Sequence, residues 1–182
     1  MSLVGLNKLH YAKLTKDNST GVTYSTVTRI VGAIEANIEY QTNASTLYAD
    51  DKAFAVATAS GDIKLSLNVE DLPLDIRADL LGHTVKNGVM EIKGGDEPPY
   101  VAVLYESQKR DGSIRYMKLL KGKFQEPNDS AKTKTDTPEF TTPTIEGTFV
   151  NREYDGISVK MADSGSTAFT GASTWYNSVE ES

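Results

Sequence analysis

The sequence predicts a mainly-β protein, an antiparallel sheet flanked by one short helix. Three observations predict it. Apolar and polar residues alternate at period two, turn dipeptides separate the alternating runs, and one stretch carries a helical stripe between a proline and a glycine.

From Ala33 to Tyr40, Ile34, Ala36, Ile38 and Tyr40 fall on one face, opposite Ala33, Glu35, Asn37 and Glu39. From Ile63 to Glu70, Ile63, Leu65, Leu67 and Val69 oppose Lys64, Ser66, Asn68 and Glu70. Successive strand side chains point to opposite sides, so each run predicts one buried and one wetted face. The helix is expected over Leu72–Leu81. Asp71 is its N-cap, Pro73 lies in the first turn, Gly82 is the C′ residue, and Leu72, Ile76 and Leu80 form its apolar stripe. About ten residues cannot hold a helix alone in water, so it should cap an open end of the β core. Asn87-Gly88 joins Thr84–Lys86 to Val89–Ile92, and Asp111-Gly112 joins Val101–Gln108 to Ile114–Leu120. Both dipeptides predict type I′ hairpin turns. Gly94-Gly95 and Asp155-Gly156 add further breaks. Tyr100–Tyr105 and Ile114–Leu120 are apolar on both faces in places and predict strands covered on two sides. Thr144–Arg152 reads as a further strand.

Two segments stand outside this pattern. Residues 125–143 hold no apolar periodicity, and a connection of that length is either functional or disordered. From Met161 onward the chain is rich in Ser, Thr, Gly and Ala and ends on Trp175-Tyr176 and an acidic tail. The expected organisation is therefore a β-domain over 1–160 and a partly ordered segment over 161–182, with Trp175 and Tyr176 anchoring it to the core.

Composition narrows the function. Lys and Arg number 19 against 25 Asp and Glu, a formal net charge of −6, which disfavours general affinity for nucleic acid backbone. The absence of cysteine removes disulfides, thiol catalysis and Cys-based zinc sites. The N-terminus has no secretory pattern and no apolar run approaches the roughly 20 residues of a membrane span, so assembly in a reducing cytoplasm without membrane contact is expected. The Asn-x-Ser/Thr tripeptides at Asn18, Asn43 and Asn128 are read as chance matches.

Sites of chemistry are sparse. His10 and His83 are the only histidines and have no ligand spacing, no Gly-x-Ser-x-Gly elbow is present, and Lys93-Gly94-Gly95 is not a phosphate loop. Asp50-Asp51 reads as a turn, because sequence neighbours do not flank a substrate as glycosidase carboxylates must. No enzyme, metal or cofactor is expected. Trp175, Tyr176 and Asp50 leave one rival open, a carbohydrate-binding sandwich.

Several stretches together resemble the major tail protein family of long-tailed bacteriophages, the subunit of the tail tube. They are Val4–Asp17, Ala44–Asp51, the Ile63–Val69 strand with Asp71–Asp75, Leu80–His83, Pro99–Ala102, Leu119–Phe124, Thr135–Ile145 and Gly147–Gly156. The likeness runs in order from about residue 4 to about 160, and the end from Met161 departs from it. It implies a β-sandwich or barrel of the tail tube type. It also implies hexameric rings stacked into a tube around a tape-measure protein, with tail terminator and distal tail proteins as partners. Such a tube is assembled in the bacterial host and later conducts DNA out of the virion. A tube subunit of a contractile tail, tailocin or secretion-type machine is similar in fold.

Under that resemblance the wetted faces acquire a purpose. Glu35, Asn37, Glu39, Asn68 and Glu70 are candidates to line the lumen, where DNA must pass without adhering. The 125–143 segment becomes an arm that orders on a neighbouring ring, with Asn128, Lys132, Lys134, Asp136 and Phe140 as contact candidates. Leu47, Tyr48, Asp50 and Asp51 form a second contact candidate, Tyr48 offering an apolar body with a polar tip.

Overall fold

The computed structural model describes residues 3–49, 52–129 and 142–180. Its strands are β1 (Leu3–Asn18), β2 (Gly21–Tyr24), β3 (Thr28–Arg29), β4 (Ala33–Ala49), β5 (Lys52–Val69), β6 (Thr84–Lys86), β7 (Val89–Glu91), β8 (Val101–Lys109), β9 (Ile114–Phe124), β10 (Thr144–Phe149) and β11 (Val159–Asp163). One α-helix, α1 (Leu74–Leu81), follows β5. The fold is mainly antiparallel β with one short helix, as the alternation predicts.

The large sheet runs β2-β1-β8-β9-β10-β5-β4, with β3 paired to β1 and β11 to β9; β6 and β7 form a separate hairpin. Strand β9 belongs to two layers. One edge pairs with β8, while the other takes β11 along Arg115–Leu119 and β10 along Gly122–Phe124. The main core lies between the layers. Leu9, Tyr11, Val101, Val103 and Leu119 meet Ile63, Leu65, Leu67, Ile145 and Phe149, and Leu72, Leu80 and Leu81 close one end. Behind β8 and β9, Ala12, Ala102, Leu104, Leu120 and Val179 form a second cluster. This is why both faces of these strands read as apolar: each face has its own core.

Four local expectations are corrected. The helix starts at Leu74 with Pro73 at the cap position and no side-chain cap, not at Leu72 under Asp71. The residue before a proline is disfavoured in the helical region, and Leu72 lies outside the helix. Its C-terminal expectation holds: Gly82 has φ 80°, and its N–H donates to the Ala78 carbonyl at 2.8 Å. Asn87-Gly88 has φ 52° and 77°, as a type I′ turn requires, but at the β8–β9 hairpin only Gly112 has positive φ. There the Gly112 N–H donates to the Lys109 carbonyl, and the Asp111 carboxylate accepts from the Ser113 N–H and hydroxyl. The local side-chain bonds favour a type I turn closed by a left-handed glycine. Strand β10 stops at Phe149 rather than Arg152. Finally, the apolar face of β4 is only partly covered: Ile34 and Tyr40 are 53% and 51% exposed, because β4 is the edge strand of its layer.

Candidate functional site

Strands β4 and β5 form a hairpin far longer than the sheet that holds it. They pair from Ala33–Val69 to Ala49–Lys52, while β10 pairs with β5 only along Ile63–Asn68. Among the described residues, the two strands beyond Ile63 therefore pair only with each other. At about 3.3 Å per residue this ribbon extends on the order of 30 Å. Two-stranded ribbons are marginal in water, so its stability calls for a further surface to lie on. The contact candidates Leu47 and Tyr48 pair with Ala55 and Ala53 near its far end; Asp50 and Asp51 lie outside the described residues.

At the base of the hairpin the backbone register builds a polar grid. Glu35 stands beside Asn68 and Asn68 beside Thr144; Asn37 beside Ser66 and Ser66 beside Glu146; Glu39 beside Lys64 and Lys64 beside Thr148. Glu70, two residues beyond Asn68, continues the same face. All five residues marked from the sequence as lumen candidates thus come together on one surface, with Glu146, Ser66, Thr144 and Thr148 added by β10 and β5. The carboxylates Glu35, Glu39, Glu70 and Glu146 share it with the ammonium of Lys64, and Lys123 stands beside Thr148 on β9 with its ammonium on Glu97. Asn68 Nδ2 donates to Thr144 Oγ1 at 2.8 Å and Thr142 Oγ1 at 3.2 Å, which fixes its orientation. A shallow polar depression of about 240 Å³ runs between Asn37, Glu39, Lys64, Gln125, Glu146 and Thr148. Chemically, this is a surface of acceptors and carboxylates that holds water and small cations and repels phosphate. Among the described residues no cluster of three or more His, Asp or Glu is arranged to hold a metal ion, and no helix is long and apolar enough to cross a membrane.

A second cluster pins the start of the 125–143 segment to the helix. The Arg77 guanidinium donates to both Asp129 oxygens, at 3.0 and 2.9 Å, and to Glu126. His83 is 6% exposed and sits between two carboxylates, Nδ1 at 2.8 Å from Asp96 and Nε2 at 2.9 Å from Glu126. Hydrogen bonds to Glu126 and then Asp96 raise the His83 pKa above its ordinary value, against the opposing effect of burial. Burial works to raise the Glu126 carboxyl, but His83 and Arg77 hold it below the usual range. Pro127 is buried and Asn128 is exposed beside a crevice lined by Asp71, Arg77 and Thr142. Lys132, Lys134, Asp136 and Phe140 lie outside the described residues. The sequence offers no signal for this cluster, since its members are brought together from α1, the turn after β7 and the exit of β9.

The C-terminal aromatics are not a sugar platform. Trp175 is 4% exposed, packed at 5.6 Å from the Tyr116 ring and 5.5 Å from Phe169. Tyr176 donates its hydroxyl to Glu106 and lies against the His10 ring at 4.6 Å. With both rings committed to the chain's own core, the carbohydrate-binding alternative loses its stacking surface, and the expectation of an anchoring role is met. Strand β11 also runs across the residue-160 boundary and pairs with β9.

A model of the phage tail tube protein family matches residues 7–181. The match carries through the C-terminal segment, well past the residue-160 limit of the resemblance read from the sequence. Comparison with curated proteins returned no match.

Proposed function

The chain belongs to the phage tail tube protein family and is thus a structural tail tube subunit; from that premise we propose that it polymerises as stacked hexameric rings around a tape-measure protein, forming the conduit for DNA ejection. The observation that carries this reading is the three-strand polar grid of β4, β5 and β10. Its wetted face concentrates carboxylates and amides while its other face, apart from Ile34 and Tyr40 on the edge strand β4, packs on the core, which suits a wall that DNA slides past without adhering. Glu35, Asn37, Glu39, Asn68 and Glu70 line the lumen in this proposal. The β4–β5 ribbon, including Leu47 and Tyr48, and the arm over 125–143 supply contacts between copies. Head-to-tail contacts of this kind stack without closing and so generate filaments. The growing tube would end on tail terminator and distal tail proteins and reside in the virion tail after assembly in the host.

Negative-stain microscopy of the concentrated protein tests polymerisation: rings or tubes are expected, and a field of monomers at all concentrations would count against it. A cryo-EM map of the tube tests the lumen assignment, which fails if Glu35 and Glu39 lie on the outer wall.

A further inference from the structure

The last described residues lie across the outer face of β8 and β9, and two buried cations hold them there. Lys118, 1% exposed, donates from Nζ to the carbonyls of Ser178 at 3.1 Å and Val179 at 3.2 Å, and sits 4.1 Å from the centroid of the Trp175 ring. Arg152, 2% exposed, donates to the Glu180 carboxylate, to Asp155, and to the Tyr24 hydroxyl at 3.3 Å. Between these two anchors the Val179 side chain fills the second core cluster. The strap is thus bound as a peptide is bound: backbone carbonyls read by an ammonium, one apolar knob in a pocket, one carboxylate on a guanidinium.

This site cannot be left empty at low cost. Emptying it would strip Lys118 of the Ser178 and Val179 carbonyls and Arg152 of the Glu180 carboxylate, and removing a partner from a buried charge is destabilising. None of the contacts, however, depends on which copy of the chain supplies the strap. The connector over 164–173 is built of small residues apart from Phe169 and is largely exposed. Ten residues reach about 33 Å when extended, enough to leave one subunit for its neighbour. Exchange of an identical element between copies preserves every contact that residues 175–180 make with the groove, gives up only the packing of Phe169 on Trp175 and Tyr116 where the connector extends, and is a low-cost route to association. The charge is also matched, since the strap carries Glu180 and the groove presents the Arg152 guanidinium and the Lys118 ammonium.

We infer that the groove beside Lys118 and Arg152 is a peptide-binding site for residues 175–180 of a second copy, so that neighbouring subunits in the assembled tube exchange C-terminal straps. The inference rests on the self-assembly proposed above. The cysteine-free chain makes it testable. Thr26 and Ser178 are exposed and line one cleft between the β2–β3 connection and the strap. A T26C population and an S178C population of different tag mass are mixed, concentrated under tube-forming conditions and treated with a short bis-maleimide. The doubly substituted T26C/S178C chain, cross-linked when dilute, establishes that the pair is within reach. A mixed cross-linked dimer in the tube fraction, absent from dilute protein, is the expected result. Tubes that yield no mixed dimer overturn strap exchange and leave the tube reading intact. Mixed dimers in a sample without tubes support exchange and count against the tube reading; the absence of both overturns both.

Discussion

Replacing Gly122 by alanine should destabilise the protomer, and the geometry of the β9–β10 junction says by how much. Gly122 pairs with Phe149, and two positions along on the same face Gly147 pairs with Phe124. Each glycine leaves room for the ring opposite. A Cβ built on Gly122 would stand 2.5 Å from Phe149 Cγ and Cδ1 and 2.6 Å from Cε1. The ring has nowhere to retreat, being fully buried and held edge-on to Phe124 at 6.0 Å between centroids. Overpacking of this kind costs about 1–3 kcal/mol. Loss of unfolded-chain entropy on Gly→Ala returns roughly 0.4–1 kcal/mol. The net loss is then about 1–2 kcal/mol, or a fall in Tm of about 2–8 °C for a chain of this size. Urea unfolding of dilute protomer measures it as a lower midpoint at unchanged slope. The double variant Gly122→Ala/Phe149→Leu should cost at least about 1 kcal/mol less than the two single changes added together, because the smaller side chain relieves the clash. A Gly122→Ala protein as stable as the parent, or strict additivity in the double variant, would refute the reasoning.

Three other outcomes are expected. Because the folded pKa of His83 is raised, its stabilisation of the clamp with Asp96 and Glu126 is fully present below the unfolded value near 6.5 and is lost as pH rises through the folded pKa. Urea midpoints measured from pH 5.5 to 9 should converge between the parent and His83→Gln as pH rises; curves parallel throughout would dismiss the clamp. Glu35→Lys/Glu39→Lys replaces two exposed carboxylates and should shift protomer stability by no more than about 0.5 kcal/mol. Its tubes should retain DNA in low salt and release it as salt rises, and tubes that retain none would exclude a lumen position for this face. Deleting residues 128–136 removes Asp129 from Arg77, and Asn128 and Asp129 are both exposed, so circular dichroism should report a folded protomer while microscopy finds no tubes; normal tubes would sink the arm.

How much of this was legible depended on whether a feature was local. The core-facing alternation of Ile63, Leu65, Leu67 and Val69 is local and was read correctly, as were the double-faced strands β8 and β9. The continuation of the hairpin through 43–49 and 52–60 was not, because these stretches are mostly alanine, serine and threonine and their few larger apolar residues, Leu47, Tyr48, Phe54 and Val56, give only a short and weak alternation. The turn at Asp111-Gly112 was assigned the wrong type, since the same dipeptide serves I′ turns and type I turns with a closing glycine, and the Asp111 bonds to Ser113 decide between them. The five residues of the polar face were found from strand parity alone, but their neighbours Thr144 and Glu146 were not, because register between strands 76 and 80 residues apart has no sequence signature. The same distance hid the C-terminal site. Lys118 and Val179 are 61 positions apart, and a buried lysine in an apolar strand looks in sequence like a surface break.

Net charge alone is a weak argument for a conduit; the distribution of charge is a stronger one. Among the described residues, many of the cations are committed to carboxylates of the chain itself. Lys8 pairs with Glu106, Lys13 with Asp79, Lys109 and Arg115 with Asp163, Lys121 with Asp17 and Lys123 with Glu97. Surface pairs of this kind add little to stability. They do bear on adhesion, because a paired ammonium must give up its carboxylate before it meets a phosphate, which offsets the gain from counterion release. On the grid of β4, β5 and β10 the balance is reversed: Glu35, Glu39, Glu70 and Glu146 surround Lys64 and leave carboxylate in excess. A −6 chain with its cations gathered on that face would hold DNA by the face alone, whatever its total. Internal pairing takes many of the described cations out of play and strand parity selects which carboxylates stay exposed, so under the proposed lumen assignment the non-adhesive property would belong to the register of three strands rather than to the composition.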